Sequence, residues 1–248
     1  QYHVFDPEMH QEAIQLLQLE TDLRKAVKQP EFVVYYQPII ALKTGKISGF
    51  EALVRWHHPQ RGFISPGDFI PIAEETGLIT HIDTWVLQEA CRQLRIWQEQ
   101  NLSQEPLTIS VNLSSRHFSQ PDLIEEVDLI LQKNQLNPQS LKLEITESAI
   151  MDNSHSAAAI IQELKKRQIQ LSLDDFGTGY SSLSYLHCFP IHTLKIDQSF
   201  VKRMDGTQEN IGLVPTIITM AHTMGINVVA EGIETPEQLA QLRALNCD

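Results

Sequence analysis

The chain has 248 residues, 42% of them hydrophobic, with 31 acidic against 19 basic side chains and a formal net charge of −12. This length holds one large α/β domain or two smaller ones, and the acidic surplus argues against broad binding to DNA or RNA through phosphates. A small phosphodiester remains open to it if metal and a few local cations screen the charge. No apolar run is long enough to span a bilayer, and the start lacks both Met and a signal-like pattern. The chain therefore reads as a soluble, cytoplasmic piece of something longer, with any membrane anchor confined to a missing N-terminal region. Cys91, Cys188 and Cys247 are far apart without CxxC spacing, so reduced thiols are expected.

Asp6-Pro7 opens a helical stretch with Ile14, Leu17, Leu19 and Leu23 near helical spacing, and Pro30 closes it. Residues 1–30 read as a capping helix or as the tail of a linker from an upstream domain, and 31–248 as the main domain. EFVVYYQPIIAL and ISGFEALVRW are strands joined only by TGK, too short for a crossover helix, so they should pair antiparallel. RGFISPGDFIPIAEETGLI reads as a loop and short helix. A long amphipathic helix covers about 79–100.

Strands LTISVNLS, SLKLEITES, IQLSLDD, HTLKIDQSFV and INVVAEGIE follow. Helices are expected near Pro121, over 154–166, after the Gly-rich turn FGTG, over 210–224, and from Thr235-Pro236. Apolar strands with polar tips alternating with helices predict a (β/α) barrel, in which functional groups converge on the C-terminal rim. The first strand is antiparallel, and seven strands leave an eighth apparently missing. The open edges that result should invite association.

The polar tips are mostly acidic, and charge at strand ends is costly unless solvated, paired or bound to an ion. That points to divalent metal. Glu51 and Arg55 share a strand face; they suit a metal and a phosphate respectively, or form an internal ion pair. Asn112 is an oxygen ligand or a helix-capping residue. Glu144 lies inside a strand and needs a partner. Asp174-Asp175 can reach one ion cluster only where the backbone turns, and two adjacent like charges want a cation between them; the alternative is a solvated acidic turn. Lys195 and Asp197 share a strand face, where Lys195 would orient or deprotonate water, neutralise phosphate, or make a salt bridge. Glu231 ends an apolar run and joins the set. Glu147 follows its strand and suits a loop-capping role. His57-His58 lacks paired zinc spacing and reads as surface.

YYQPII, EALVRWHHP, FIPIAEETGLI, VNLS, LEITES, DDFGTGYSSLSYL, LKIDQSFV and VVAEGIET, in this order, resemble the EAL-domain family of cyclic di-GMP phosphodiesterases. The likeness covers nearly the whole chain from Glu31. It implies a modified TIM barrel that linearises cyclic di-GMP to pGpG with two Mg²⁺ or Mn²⁺ ions. Ca²⁺ prefers longer bonds and looser geometry, so it should occupy the site yet be inhibitory. It implies Glu51, Asn112, Glu144 and Asp174 as ligands of one ion, Asp174 and Asp175 as ligands of the other, and Glu231 as a further acid at the centre. Lys195 would place the water, and Gln37, Arg55 and Asp197 would contact the nucleotide. Glu147 would anchor the DDFGTG loop.

The family resemblance also implies a homodimer and an upstream sensor and GGDEF cyclase domain. The family's final Gln-Gly-aromatic segment is absent from this chain, which puts barrel closure and full activity in question. The other classes open are a non-catalytic receptor for the dinucleotide and a scaffold beside a cyclase domain.

Overall fold

The two leading apolar runs form a long hairpin because a short turn joins them and both alternate. β1 (Phe32–Ala41) and β2 (Lys46–His58) pair antiparallel, with Gln37 opposite Glu51. A computed structural model describes residues 7–100, 106–151, 154–177, 189–205 and 213–248. One hairpin face packs on an aromatic cluster in which Trp56 lies within 5.9 Å of both Phe32 and Phe69 by ring centroids. The other face lines the inside of the sheet.

A short strand β3 (Gly62–Ile64) returns antiparallel along the end of β2, where a loop was expected. The cause is His58, whose Nδ1 accepts the N–H groups of Gln60 and Arg61, each at 3.1 Å. The surface reading of His58 is corrected: it is buried, and its Nε2 faces Asp22 of the first helix at 3.4 Å.

The remaining strands are β4 (Thr108–Asn112), β5 (Leu141–Thr146), β6 (Gln170–Phe176), β7 (Thr193–Ile196) and β8 (Asn227–Ala230). All are parallel, and β4 pairs parallel with β2. The path β1-β2-β4-β5-β6-β7-β8 is a curled sheet of seven strands, as the sequence count had it. Gly49 lets β2 and β4 approach, since a Cβ there would collide with Thr108. Between β8 and β1, Asp248 donates its N–H to the carbonyl of Val228 at 3.2 Å and accepts from the N–H of Leu42 at 2.8 Å.

The helices among the described residues are α1 (Pro7–Ala26), α2 (Pro66–Thr76), α3 (Ile79–Glu99), α4 (Ser115–Phe118), α5 (Leu123–Asn134), α6 (Glu147–Met151), α7 (Ser154–Lys166), α8 (Gln198–Lys202), α9 (Leu213–Thr223) and α10 (Pro236–Ala244). α10 begins with a full capping box between Thr235 and Gln238. The last turns of α1 belong to the fold, with Leu23 and Ala26 fully buried.

Outward-facing Ile109, Val111, Leu143, Leu171, Leu194 and Val228 are buried beneath the helices. At about 1.5–3 kcal/mol for each large apolar side chain, this layer supplies much of the stability. The inward face is different: Ser110, Glu144, Ser172 and Lys195 are buried there. They line a cavity of about 780 Å³. An apolar outer layer holding a polar interior is what frees the inner face for chemistry.

Candidate functional site

Strand parity and register bring most of the expected residues to one place. Gln37 faces Glu51 across the hairpin, Asn112 lies level with Glu144, and Thr146 with Asp174. Asn112 donates from Nδ2 to Glu51 Oε1 at 2.9 Å. With the amide turned over, the same side chain offers an oxygen instead.

Lys195 is the hub. Its Nζ lies 2.6 Å from Glu144, 2.7 Å from Glu231, 3.2 Å from Asp174 and 3.3 Å from Glu51. Both Lys195 and Glu144 are almost fully buried, at 2% exposure. One ammonium cannot neutralise so many carboxylates, and burial adds to the cost of their charge. Burial pushes the Glu144 carboxyl up to about 8, against the pull of Lys195. Burial alone would depress the Lys195 ammonium, but Glu144, Glu51, Asp174 and Glu231 outweigh it and raise its pKa. Glu231 is raised by burial, again against Lys195. Asp175 is raised by burial and then by Asp174. Four carboxylates crowded around one ammonium leave surplus negative charge, which favours added cations.

The backbone turn expected at Asp174-Asp175 is present. The pairing of β6 with β7 shifts register between Leu173 and Phe176, and Asp175 has φ 53°. This left-handed conformation is one Asp tolerates better than most residues. It breaks the strand alternation between the two neighbouring carboxylates. Gly177 follows with φ 92°. The loop beyond it, residues 178–188 with Gly179 and Cys188, lies outside the described residues.

Two expectations need adjustment. Asp197 does not share a strand with Lys195, because β7 ends at Ile196 and Asp197 caps α8, accepting from the Ser199 N–H at 2.9 Å. Arg55 makes no ion pair with Glu51 among the described residues; it donates to the Val54 carbonyl at 2.8 Å and lies over the Tyr35 ring at 5.5 Å. Glu147, expected to cap or anchor a loop, is the first residue of α6, directly after β5.

The oxygen-only set of Glu51, Asn112, Glu144, Asp174, Asp175 and Glu231 suits hard divalent ions. Among the described residues, no three His, Cys, Asp or Glu side chains close into a metal cluster by themselves. Here the carboxylates gather around an ammonium, which occupies the position of positive charge.

A second polar group, missed from sequence, supports the turn after Asn112. Asp83 of α3 accepts from Ser114 N–H at 3.0 Å and from its hydroxyl at 2.6 Å. His117 is buried, with Nδ1 3.6 Å from Asp83 and Nε2 3.2 Å from Glu126. Its only sequence signal was Ser114 at a helix start in VNLSSRHF.

Residues 20–248 match the family model described as EAL domain. The chain is 40% identical over 247 residues to the bifunctional diguanylate cyclase/cyclic di-GMP phosphodiesterase MucR of Pseudomonas aeruginosa, covering 100% of this chain and 36% of that protein. It is 41% identical over 236 residues to the cyclic di-GMP phosphodiesterase NbdA of Pseudomonas aeruginosa, covering 95% of this chain and 30% of that one. It thus spans about a third of the length of these relatives. Among solved structures it is similar to the PaMucR phosphodiesterase in complex with c-di-GMP, at TM-score 0.88 and 41% identity over 93% of each chain.

Proposed function

Because the chain belongs to the EAL domain family, we propose that it is a phosphodiesterase that hydrolyses cyclic di-GMP to linear pGpG. The observation that carries this reading is the convergence of Glu51, Glu144, Asp174 and Glu231 on Lys195 at the rim of the barrel. That arrangement concentrates negative charge in a concave polar site and cannot bind a phosphodiester without added cations. Glu51, Asn112, Glu144, Asp174, Asp175 and Glu231 would hold two divalent ions, Mg²⁺ or Mn²⁺, with Ca²⁺ inhibitory. Bound there, such ions would activate water and offset the charge developing on phosphate oxygens.

The chain's own side chains then have separable tasks. Lys195, fixed by its contacts with Glu144 and Glu231, would hydrogen-bond the attacking water. Gln37 and Arg55, on the hairpin face that carries Glu51, would position the nucleotide. Asp197 would serve the same end beside α8, and Glu147 would hold the loop after Asp175. In the reaction the water oxygen bonds to phosphorus, one P–O3′ bond breaks, and the departing ribose oxygen takes a proton. Homodimerisation and an upstream GGDEF domain belong to the same reading; the latter is supported by the name of the bifunctional relative.

Purified protein incubated with cyclic di-GMP and Mg²⁺ or Mn²⁺ should yield pGpG on chromatography. Retained binding without product would instead assign the chain as a receptor.

A further inference from the structure

The two faces of β2 carry different work. Glu51 and Arg55 lie on its inner face, and strand alternation puts Trp56 and His58, both buried, on the outer one. β4 pairs with β2 only from Gly49 to Ala52. The half of β2 that carries Arg55 therefore has no neighbour in the parallel sheet. It is held by β1, by β3 and by what packs behind it. Behind it stand α1 and the turn that follows α1. Leu23 and Ala26 of α1 are fully buried, and α1 packs against α2. Glu31, between α1 and β1, accepts the Trp56 Nε1–H at 2.9 Å with its carboxylate and the His57 N–H at 2.9 Å with its carbonyl.

One carboxylate of the helix itself joins this set. His58 accepts two backbone N–H groups at Nδ1, which leaves the ring proton on Nε2. That nitrogen faces Asp22 Oδ2 of α1 at 3.4 Å. The same oxygen lies 3.2 Å from the Arg61 guanidinium, which also reaches Gln18 Oε1 at 3.5 Å. The two contacts are unequal. The Arg61 side chain is 39% exposed, where an ion pair contributes little. The His58 side chain is only 7% exposed, where a donor without an acceptor is costly. Asp22 is thus the acid that ties α1 to the turn ending β2, one strand turn beyond Arg55.

We propose that Asp22 and His58 are positioning residues: through them α1 sets the half of β2 that carries Arg55, and so tunes substrate affinity from the outer side of the barrel wall. The proposal rests on the phosphodiesterase reading and on Arg55 as a contact to the nucleotide. Glu51 lies outside the coupled half, because its pairing level with Ser110 fixes it to β4. Substrate affinity and metal requirement are therefore separable. A shift of α1 against the sheet moves Arg55 and leaves the acidic centre in place.

The test compares wild type, Asp22→Ala, Asp22→Asn and Arg61→Ala with cyclic di-GMP across a Mn²⁺ titration. Circular dichroism verifies folding, and hydrogen exchange follows the amides of β2 and β5. Asp22→Ala should raise KM at least about fivefold, the low end of coupling between separate sites. Its kcat should change less than about twofold, with the Mn²⁺ requirement unchanged. Exchange should quicken in the half of β2 beyond Ala52 and stay as in wild type in β5. Asp22→Asn keeps an oxygen for His58 and should restore the wild-type KM. Arg61→Ala, which loses only the exposed pair, should match wild type. An active wild type with an unchanged KM in Asp22→Ala would overturn the coupling and leave the phosphodiesterase reading standing. So would an Asp22→Asn as impaired as Asp22→Ala, or a Mn²⁺ requirement that rises along with KM. A wild type that neither hydrolyses nor binds cyclic di-GMP would overturn both.

Discussion

The carboxylate of Asp83, on α3, accepts both the backbone N–H and the hydroxyl of Ser114, at 3.0 and 2.6 Å. Ser114 lies two residues after Asn112 and caps α4 by accepting from the His117 N–H at 3.2 Å. The intervening Leu113 donates its N–H to the Glu144 carbonyl at 2.9 Å. The turn that aims Asn112 is therefore tied to a helix on one side and to β5 on the other.

Asp83→Ala should loosen that turn without touching the acidic centre. It strands buried donors, and hydrogen bonds to charged groups are worth about 1.5–3 kcal/mol. The thermal midpoint should fall by several degrees, at roughly 2–4 °C per kcal/mol for a chain of this size. The Mn²⁺ concentration for half-maximal activity should rise as Asn112 loses its fixed position. A lower midpoint with unchanged Mn²⁺ dependence would make Asp83 a stability residue only.

His117 should make stability depend on pH. Burial disfavours its charged form, but Asp83 and Glu126 outweigh burial, so its pKa lies above the ordinary histidine value. The folded state then holds the proton more tightly than the unfolded chain. The stabilisation is complete below about pH 6.5, the unfolded value, and is lost as pH rises through the folded value. Urea unfolding of wild type and His117→Gln across that range should show a stability gap that narrows with rising pH. A gap independent of pH would mean that His117 binds its proton equally in the folded and unfolded chain.

Lys195→Ala should act on stability and turnover in different ways. Removing one partner of a buried charge pair costs about 3–5 kcal/mol, because the other charge is left unopposed. Here Glu144 would be buried without its ammonium at 2.6 Å. The variant should melt well below wild type in chelator, and Mn²⁺ should recover much of the difference by supplying the missing positive charge. Its kcat should fall far more than its Mn²⁺ affinity. If metal affinity is the main loss, Lys195 serves the ions rather than the water.

Much of the fold was legible because strand alternation and short connections have few solutions. TGK between β1 and β2 dictated antiparallel pairing, and apolar runs with acidic tips located the strands that carry Glu51 and Glu144 and the one that ends just before Glu231. Asp197 was misplaced because LKIDQSF reads as one continuous run, whereas the Asp197 side chain caps a helix and ends the strand early. His58 was misread because burial of a histidine depends on distant partners: Asp22 is far off in sequence, and the turn that His58 closes has no hydrophobic signal. The Asp83–His117 group was invisible for the same reason, since α3 and α4 meet only in the folded chain. The pairing of Phe63 with His57 needed β3, which three residues of strand cannot announce by periodicity.

Asp175 offers the sharpest separation of backbone from chemistry. Its φ of 53° lies in the left-handed region, which glycine enters freely, Asp tolerates and β-branched residues resist. Asp175→Gly should therefore keep the turn between Leu173 and Phe176, leave the thermal midpoint within a few degrees, and still abolish most turnover, because the carboxylate is gone. Asp175→Val removes the same carboxylate and adds a backbone penalty of about 1–2 kcal/mol, so it should be equally inactive and measurably less stable. Asp175→Asn, which retains the shape and an oxygen, should stay folded with an increased Mn²⁺ requirement. Scanning calorimetry of the three variants, read beside pGpG formation, distinguishes the contributions. If Asp175→Gly is as destabilised as Asp175→Val, the carboxylate is holding the loop; if Asp175→Gly retains activity, Asp175 is not a ligand and Asp174 must serve without it.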